Sequence, residues 1–316
     1  MTSHQTVERL GALVALVGPT AVGKSEFALR LAERLPVEII NADSRQVYRY
    51  MDIGTSKPSP EARERVPHHV FDVVDPDQEF SLAVYLELAR SARRAVVERY
   101  RTPIVVGGTG QYVWSLVEEW QLPEVPPDPS FRRDMEEYAA THGAAALHAR
   151  LAGVDDEAAR RIQATNVRRV IRALELHRAT DTRPSALLRR RQGIAQNTVV
   201  IGLKLDRPLL VARAERRIDR MIREGFPGEV KLLLEKGYSP SLPSMSSIGY
   251  REMADYVNGR CDLQTTVSRV KRETHRLIRR QRSWFRPSDT RIEWLDCEEY
   301  EKAIEQAIVM IQGLSE

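Results

Sequence analysis

The sequence predicts an α/β protein built on a parallel P-loop sheet, with helices on both faces and an inserted small all-helical domain. Short apolar runs alternate with segments of helical periodicity, which is the pattern of a parallel sheet. A glycine-rich phosphate-binding pattern joins the first apolar run to the first helical segment. A proline-rich linker at 122–129 then leads into residues 130–190, which are helical in pattern and rich in Ala, Arg and Glu. We therefore divide the chain into a core at 1–121 and 196–316 and an insert at 122–195.

A chain of 316 residues is long enough for one large or two moderate domains with a sizeable core. Its hydrophobic content of 42% and charged content of 29% are those of an ordinary globular protein. Cys261 and Cys297 lie far apart, which favours a reducing compartment and gives no zinc-binding pattern. The N-terminal apolar run is too short to cross a bilayer. We expect a cytoplasmic protein with no membrane partner.

The first predicted strand, at 13–17, runs into a phosphate-binding loop. The loop reads Gly18-Pro19-Thr20-Ala21-Val22-Gly23-Lys24-Ser25 and fits the pattern G-x-x-x-x-G-K-[ST]. Gly18 and Gly23 let backbone amides point at an anion, and Lys24 adds a positive charge. The Ser25 hydroxyl is the predicted ligand of Mg²⁺, and the helix that begins near Lys24 contributes its positive dipole end. The sequence predicts a di- or triphosphate site here.

The remaining strands are predicted at 37–43, 69–75, 103–106, 198–205 and 291–295. A loop at 44–68 and a helix at 81–100 separate the earlier strands, and an amphipathic helix ends the chain. Ligands of parallel sheets bind at the carboxyl ends of the strands. Because the polar segments 18–25, 43–46 and 107–112 all follow strands, we expect them to meet in one pocket.

Asp43 ends the second predicted strand and is the carboxylate of most interest. In ordinary P-loop ATPases another strand ends in the Asp that faces Mg²⁺, but here the fourth strand runs into Gly107-Gly108-Thr109. The residues leave two roles open for Asp43: a general base beside the phosphate site, or an indirect Mg²⁺ partner or helix N-cap. Thr109 is equally open between a ligand contact and a turn residue.

Arginines cluster in several segments, although the net charge is only +4. On a helix predicted from about 267 to 286, arginines share one face, and Val270, Leu277 and Trp284 share another. The arginines of that face are Arg269, Arg272, Arg276, Arg279 and Arg280. Further basic patches lie at 168–172, 189–191 and 213–220. Several such patches in a chain with a phosphate loop favour a nucleic-acid partner, on whose unpaired bases Trp284 could stack.

Several motifs together give a specific resemblance. They are DSRQVY at 43–48, MDIGTSKP at 51–58, GGTGQY at 107–112, RALE at 172–175, IGYR at 248–251 and RRQRSWFR at 279–286. With the P-loop, they cover nearly the whole chain in order. The sequence resembles the tRNA dimethylallyltransferases (tRNA isopentenyltransferases) of the bacterial type.

The resemblance implies an activity and roles for particular residues. A dimethylallyl group would pass from dimethylallyl diphosphate to N6 of the adenosine at tRNA position 37, next to the anticodon. The P-loop would hold the diphosphate leaving group with Mg²⁺, rather than ATP. Asp43 would be the general base, and Thr109 and Arg217 would lie against the phosphates and the reacting centre. We expect a monomer whose partners are this diphosphate and the tRNA anticodon stem-loop.

The resemblance also implies which residues contact tRNA, with the helical insert and the 279–286 segment clamping the anticodon stem-loop. They are Asp43, Ser44, Arg45, Gln46, Thr109, Arg132, Arg168, Arg169, Val170, Ile171, Arg172, Gly249, Tyr250, Arg251, Arg279, Arg280, Gln281, Arg282, Trp284 and Arg286. The chain departs from the usual pattern at Thr165-Asn166, where members commonly have Asn-Asp, and at Ser246, where many have Arg.

Three other functions stay open alongside tRNA prenylation. They are a P-loop kinase, an isopentenyltransferase acting on free AMP or ADP, and a non-catalytic RNA-binding protein.

Overall fold

A computed structural model describes residues 11–187 and 193–314. Its strands, in chain order, are β1 (Leu13–Val17), β2 (Val37–Asn41), β3 (His68–His69), β4 (Thr102–Val106), β5 (Thr198–Lys204) and β6 (Ile292–Asp296). They form one sheet in the order β3-β2-β4-β1-β5-β6, and every neighbouring pair is parallel. Every residue of β1 and β2 is buried, as expected of strands covered on both faces. The predicted fold class is confirmed.

Helices account for most of the remaining regular structure. In chain order they are α1 (Lys24–Ala32), α2 (Pro60–Arg65), α3 (Leu82–Glu98), α4 (Gly110–Val117), α5 (Pro129–His142), α6 (Ala144–Val154), α7 (Asp156–Arg161), α8 (Val167–Thr180), α9 (Pro184–Leu187), α10 (Arg207–Arg223), α11 (Phe226–Glu235), α12 (Tyr250–Val257), α13 (Leu263–Gln281) and α14 (Tyr300–Gln312). Within residues 11–187 and 193–314, none of them combines the length and the apolar character needed to cross a membrane.

The helices of the core cover both faces of the sheet. Helices α1 and α14 pack with Val14, Leu16 and Ile104 in one apolar core, and α3 and α4 contact β4 and β1. The connection from β1 to β2 and that from β3 to β4 run in opposite directions across the sheet. Since such crossovers are right-handed, α1 and α3 lie on opposite faces.

Residues Glu119–Gln192 form a second compact unit, which contains α5 to α9. The sequence predicted an insert at 122–195. The unit has its own apolar core, in which Leu147 and Leu151 of α6 pack with Val170, Ile171 and Leu174 of α8. A helical segment of this size is stable because it buries these side chains among its own helices.

Three predicted elements differ from the structure. The helix predicted from about 267 to 286 is α13, which begins earlier and ends at Gln281, so Trp284 follows the helix rather than sharing its face. The third strand was predicted at 69–75 but stops at His69, because Val70 and Asp72 adopt left-handed backbone angles, with φ of 64° and 54°. The segment 44–68 was predicted as loop but contains α2. Ser59 caps this helix by accepting a hydrogen bond from the Ala62 amide, and Pro60 occupies its first position, where no N–H is needed.

Candidate active site

The polar segments that follow β1, β2 and β4 meet in one cavity of about 1180 Å³. It is lined by P-loop residues 20–26, by 43–46 after β2 and by 106–111 after β4. Helices α10 and α13 complete much of the wall, the first with Arg213 and Arg217 and the second with Gln281, followed by Trp284. The carboxyl edge of the sheet therefore carries the candidate site, as in other open α/β sheets.

The P-loop encloses the Lys24 ammonium group. Gly18 and Gly23 have positive φ angles of 141° and 108°, which let the loop curl before α1 begins. Lys24 Nζ donates hydrogen bonds to the carbonyl oxygens of Gly18 and Pro19, at 3.0 and 2.9 Å. Burial lowers the pKa of Lys24 to about 8, although the charge of Asp43 opposes the shift. A poorly hydrated cation of this kind favours a bound anion.

Arg217, on α10, supplies a second cation at the P-loop. Its Nη2 donates to the Thr20 hydroxyl at 2.9 Å, and its buried Nε has no hydrogen-bond partner within residues 11–187 and 193–314. Burial lowers the pKa of Arg217 while Asp43 opposes this shift too, so both cations interact with the same carboxylate. A guanidinium keeps its charge at neutral pH, and its unpartnered N–H suits an anionic oxygen.

A tight turn after β2 holds Asp43 at the cavity. The buried Asn41 accepts a hydrogen bond from the Asp43 amide at 2.8 Å and donates to the carbonyl oxygens of Asp43 and Val70, both at 3.0 Å. Asp43 Oδ1 accepts from the Arg45 amide at 2.9 Å. Its Oδ2 makes no hydrogen bond to any residue that the structure describes. The carboxylate therefore caps a turn rather than a helix, and one of its oxygens is available for chemistry.

Thr109 connects the loop after β4 to the loop after β2. Its hydroxyl accepts from the Ser44 amide at 3.0 Å, and its own amide donates to the Ala42 carbonyl at 3.1 Å. This close approach requires Gly107, because a Cβ there would lie 2.1 Å from the Ala42 oxygen. Thr109 thus holds the residues on either side of Asp43, Ala42 and Ser44, against the loop after β4.

Gln281 was predicted to contact tRNA, but its side-chain amide joins two loops of the protein. Oε1 accepts from the Thr20 amide at 2.8 Å, and Nε2 donates to the Gly108 carbonyl at 3.3 Å. Trp284, three residues on, packs so closely on Gly110 that a Cβ there would lie 2.3 Å from the indole Cγ. The end of α13 therefore builds the cavity wall, while the Trp284 side chain stays 39% exposed at its edge.

The other residues of the core with a predicted tRNA contact divide into two groups. Ser44, Arg45, Gln46 and Arg280 line the cavity, and Arg251, Arg279, Arg282 and Arg286 are exposed. Tyr250 is instead fully buried and its hydroxyl donates to Glu229 at 2.7 Å, so its side chain holds the protein together here, and its tRNA contact stays a prediction. Gly249 gives α12 its start, with a left-handed φ of 96°. The sequence offered no local signal for Glu229, whose partners are distant in the chain.

The helical unit uses several of its predicted RNA-binding residues internally. Val170 and Ile171 are buried in its core, where their side chains pack with those of α6, and their tRNA contact stays a prediction. Arg132 and Arg172 pair with the buried Glu175. Arg168 and Arg169 are exposed on α8 and remain available to RNA. The predicted basic patch at 189–191 lies outside the described residues.

Mg²⁺ would need oxygen ligands from a substrate here. Among residues 11–187 and 193–314, no group of three or more His, Cys, Asp or Glu side chains could hold a metal ion. Ser25 is exposed and lines the cavity near Lys24. Since Mg²⁺ in phosphate sites takes few protein ligands and completes its shell with phosphate oxygens and water, this donor set fits an ion carried by a diphosphate.

Comparison with known proteins agrees with this geometry. Residues 46–288 match the family model for IPP transferase, and residues 11–67 match that for isopentenyl transferase. The chain is 51% identical over 274 residues to the tRNA dimethylallyltransferase of Roseiflexus sp. (strain RS-1), covering 87% of this chain and 90% of that relative. It is 43% identical over 293 residues to that of Natranaerobius thermophilus, covering 92% and 88%.

Solved structures show the same likeness. The full-length tRNA isopentenylpyrophosphate transferase of Bacillus halodurans matches with a TM-score of 0.70 and 39% identity over 96% of each chain. A eukaryotic dimethylallyltransferase crystallised acting on tRNA matches with a TM-score of 0.81 and 25% identity, over 95% of this chain and 78% of that one. The chain therefore belongs to the tRNA dimethylallyltransferase family and is an enzyme of that activity.

Proposed function

We propose that the enzyme transfers the dimethylallyl group of dimethylallyl diphosphate to N6 of adenosine 37, next to the anticodon, with Asp43 as the general base. The observation that best supports this is the grouping of Asp43 with Lys24 and Arg217. The two cations interact electrostatically with that one carboxylate at the cavity. An anion site and a proton acceptor side by side are what an alkyl transfer from a diphosphate needs.

The leaving group is the part of the reaction that the P-loop assists. The bond between C1 of the prenyl group and the diphosphate oxygen breaks, and its electron pair stays on the diphosphate. Lys24, Arg217 and the loop amides stabilise this developing charge. Mg²⁺, held by the Ser25 hydroxyl and diphosphate oxygens, would neutralise further charge. No ATP is required, because diphosphate is already a good leaving group.

The acceptor is the part of the reaction that Asp43 assists. An exocyclic adenine nitrogen is a weak nucleophile, so its proton must leave as the new bond forms between N6 and C1. The proton passes to the carboxylate of Asp43, whose Oδ1 is held by the Arg45 amide. Thr109 keeps the loops that carry these groups together.

The adenine must leave the anticodon-loop stack to reach this cavity, at a cost of roughly a few kcal/mol. At about 1180 Å³, the cavity exceeds the range of about 300–1,000 Å³ of common ligand sites, so it has room for a base and a prenyl diphosphate together. The partly exposed Trp284 offers an aromatic face at its edge. Ser44 and Arg45 line the same wall and would hold the extruded nucleotide.

One labelling experiment tests the proposal. The protein is incubated with radiolabelled dimethylallyl diphosphate, Mg²⁺ and one acceptor: an anticodon stem-loop with adenosine at 37, the same stem-loop with guanosine at 37, or AMP. We expect label in the adenosine stem-loop alone. Label in AMP or in the guanosine stem-loop would contradict the proposed acceptor, and turnover that depends on ATP would contradict the role of the P-loop.

A further inference from the structure

The segment 51–58, which we call the cavity loop, is held by one carboxylate from a distant helix. Glu229 of α11 accepts hydrogen bonds from consecutive backbone amides of this loop and from a phenol. The donors are the amides of Asp52, Ile53 and Gly54, at 2.9, 2.7 and 3.1 Å, and the hydroxyl of Tyr250, at 2.7 Å. A carboxylate that accepts several N–H bonds holds its donors firmly, because charge-assisted hydrogen bonds are the stronger kind.

Packing fixes the same loop against α11 and α12. A Cβ on Gly54 would lie 2.3 Å from a Phe226 ring carbon and 2.6 Å from a Tyr250 ring carbon. Ser56 has a left-handed φ of 53°, which a residue other than glycine adopts only when its surroundings impose it. Because Gly54, Thr55 and Ser56 line the cavity that Asp43 also lines, this loop is part of its wall.

Gln46 links the far side of the cavity loop to Asp43. Its Nε2 donates to the carbonyl oxygens of Thr55 and Ser56, at 2.9 and 3.1 Å. Its backbone amide donates to the Asp43 carbonyl at 3.2 Å. Hydrogen bonds therefore tie Glu229 to residues 52–54 of the cavity loop, and the next two residues of the loop to Gln46, whose own amide bonds the turn that carries Asp43.

We propose that Glu229 is a positioning residue for the transfer reaction, setting the place of Asp43 through the cavity loop and Gln46. The inference rests on the proposed function, which gives Asp43 its role as base. A displacement of about 1 Å in a reacting group can lower a rate by about a hundredfold. The hydrogen bonds that position Lys24 and Arg217 are separate from this path, since both side chains donate to Gly18, Pro19 or Thr20 of the P-loop. Loss of Glu229 should therefore slow transfer and leave diphosphate binding intact.

The test variant is Glu229→Gln, which keeps the shape but replaces one acceptor oxygen with an NH₂ group that opposes an amide donor. The matched control is Glu235→Gln on the same helix, where the carboxylate is exposed and pairs with Lys231 at 3.8 Å. For Glu229→Gln we expect kcat to fall by about tenfold or more, with KM for both substrates within about threefold of wild type. Hydrogen exchange at residues 52–54 should become faster, and the control should match wild type in every measurement.

Two results would overturn the inference: wild-type kcat despite faster exchange at 52–54, or a lower kcat with exchange unchanged. If Glu229→Gln does not fold, Tyr250→Phe removes only the phenol donor. Tyr250→Phe should then lower kcat a few-fold and speed hydrogen exchange in the cavity loop. Wild-type values for both measurements would contradict the inference. Asp43→Asn is assayed in parallel. Full activity in Asp43→Asn refutes the proposed base itself, whereas an inactive Asp43→Asn beside an unaffected Glu229→Gln refutes only the role of Glu229.

Discussion

Two carboxylates, each interacting with two basic side chains, behave differently in the two units. In the helical unit, Glu175 is 2% exposed and accepts from Arg132, Arg172 and the Asp128 amide. In the core, Asp43 is partly exposed and has one oxygen without a hydrogen bond among the described residues. A saturated carboxylate, meaning one whose two oxygens both accept hydrogen bonds from the protein, stabilises the fold but has no free oxygen with which to take a proton from a substrate. An unsaturated one beside cations can take a proton.

The pKa values follow the same division. Burial disfavours the charged form of Glu175, but the hydrogen bonds from Arg132 and Arg172 outweigh it and hold its pKa below the usual value. At the P-loop the group whose charged form is disfavoured is the cation instead, since burial lowers the pKa of Lys24 to about 8. The charges around Glu175 therefore balance one another without a ligand. A bound anion would stabilise the charged form of Lys24 at the P-loop.

The sharpest test of this difference is Asp43→Asn, which removes the proton acceptor but keeps the shape of the turn. We expect kcat to fall by about a hundredfold or more, because a positioned general base contributes about 10²–10⁴-fold. Stem-loop affinity should stay within about threefold of wild type, since the phosphate contacts of RNA dominate affinity. Single-turnover transfer and a binding titration measure the two. Weakened RNA binding with unchanged turnover would contradict the role of Asp43 as base.

The second test uses pH to remove the charge of Lys24. Its free-state pKa of about 8 lies below the ordinary value, so the ammonium is fully charged near pH 6.5 and loses its proton above pH 8. Affinity for dimethylallyl diphosphate should therefore be flat below about pH 7 and fall by up to about tenfold per pH unit above pH 8. Binding is measured by calorimetry between pH 6.5 and 9.5.

Lys24→Arg is the control for this pH profile, because a guanidinium stays charged throughout the range. Its affinity should be lower than that of wild type at neutral pH, as a planar fork does not match an ammonium site, but it should not fall between pH 8 and 9.5. A fall of the same slope in both proteins would assign the titration to another group.

The third test removes the saturated carboxylate by Glu175→Gln. The change removes the negative charge that Arg132 and Arg172 share at Glu175, and we expect a loss of about 1–3 kcal/mol in the free energy of unfolding of the helical unit. The effect should shrink at low pH, because a depressed folded-state pKa gives stability that is present above the unfolded-state value and lost as pH falls. Urea melts at pH 7 and pH 4 measure this. Turnover of the folded enzyme should stay within about twofold of wild type.

The sequence located the cavity well because its evidence was local. A P-loop pattern and the ends of apolar runs are read within a few residues, and parallel strands bring those ends together. The role of Gln281 was invisible for the opposite reason: its partners Thr20 and Gly108 are 261 and 173 residues away. Within the basic run at 168–172, the two faces of an amphipathic helix separate the residues: Val170 and Ile171 face inward while Arg168 and Arg169 face out, which the run of letters alone does not show.

The smallest expected effect separates exposed arginines that have a partner from those that do not. Arg168 and Arg169 carry no ion pair among the described residues, whereas Arg161, also in the helical unit and also exposed, pairs with Glu157. Each phosphate contact adds about 0.7–0.9 to the slope of log affinity against log salt concentration. Arg168→Gln and Arg169→Gln should therefore each lower the slope for stem-loop binding by about that amount, with affinity falling a few-fold, and Arg161→Gln should leave it unchanged. Binding measured between 50 and 300 mM salt decides this, since equal slopes in all these proteins would show that RNA binds elsewhere.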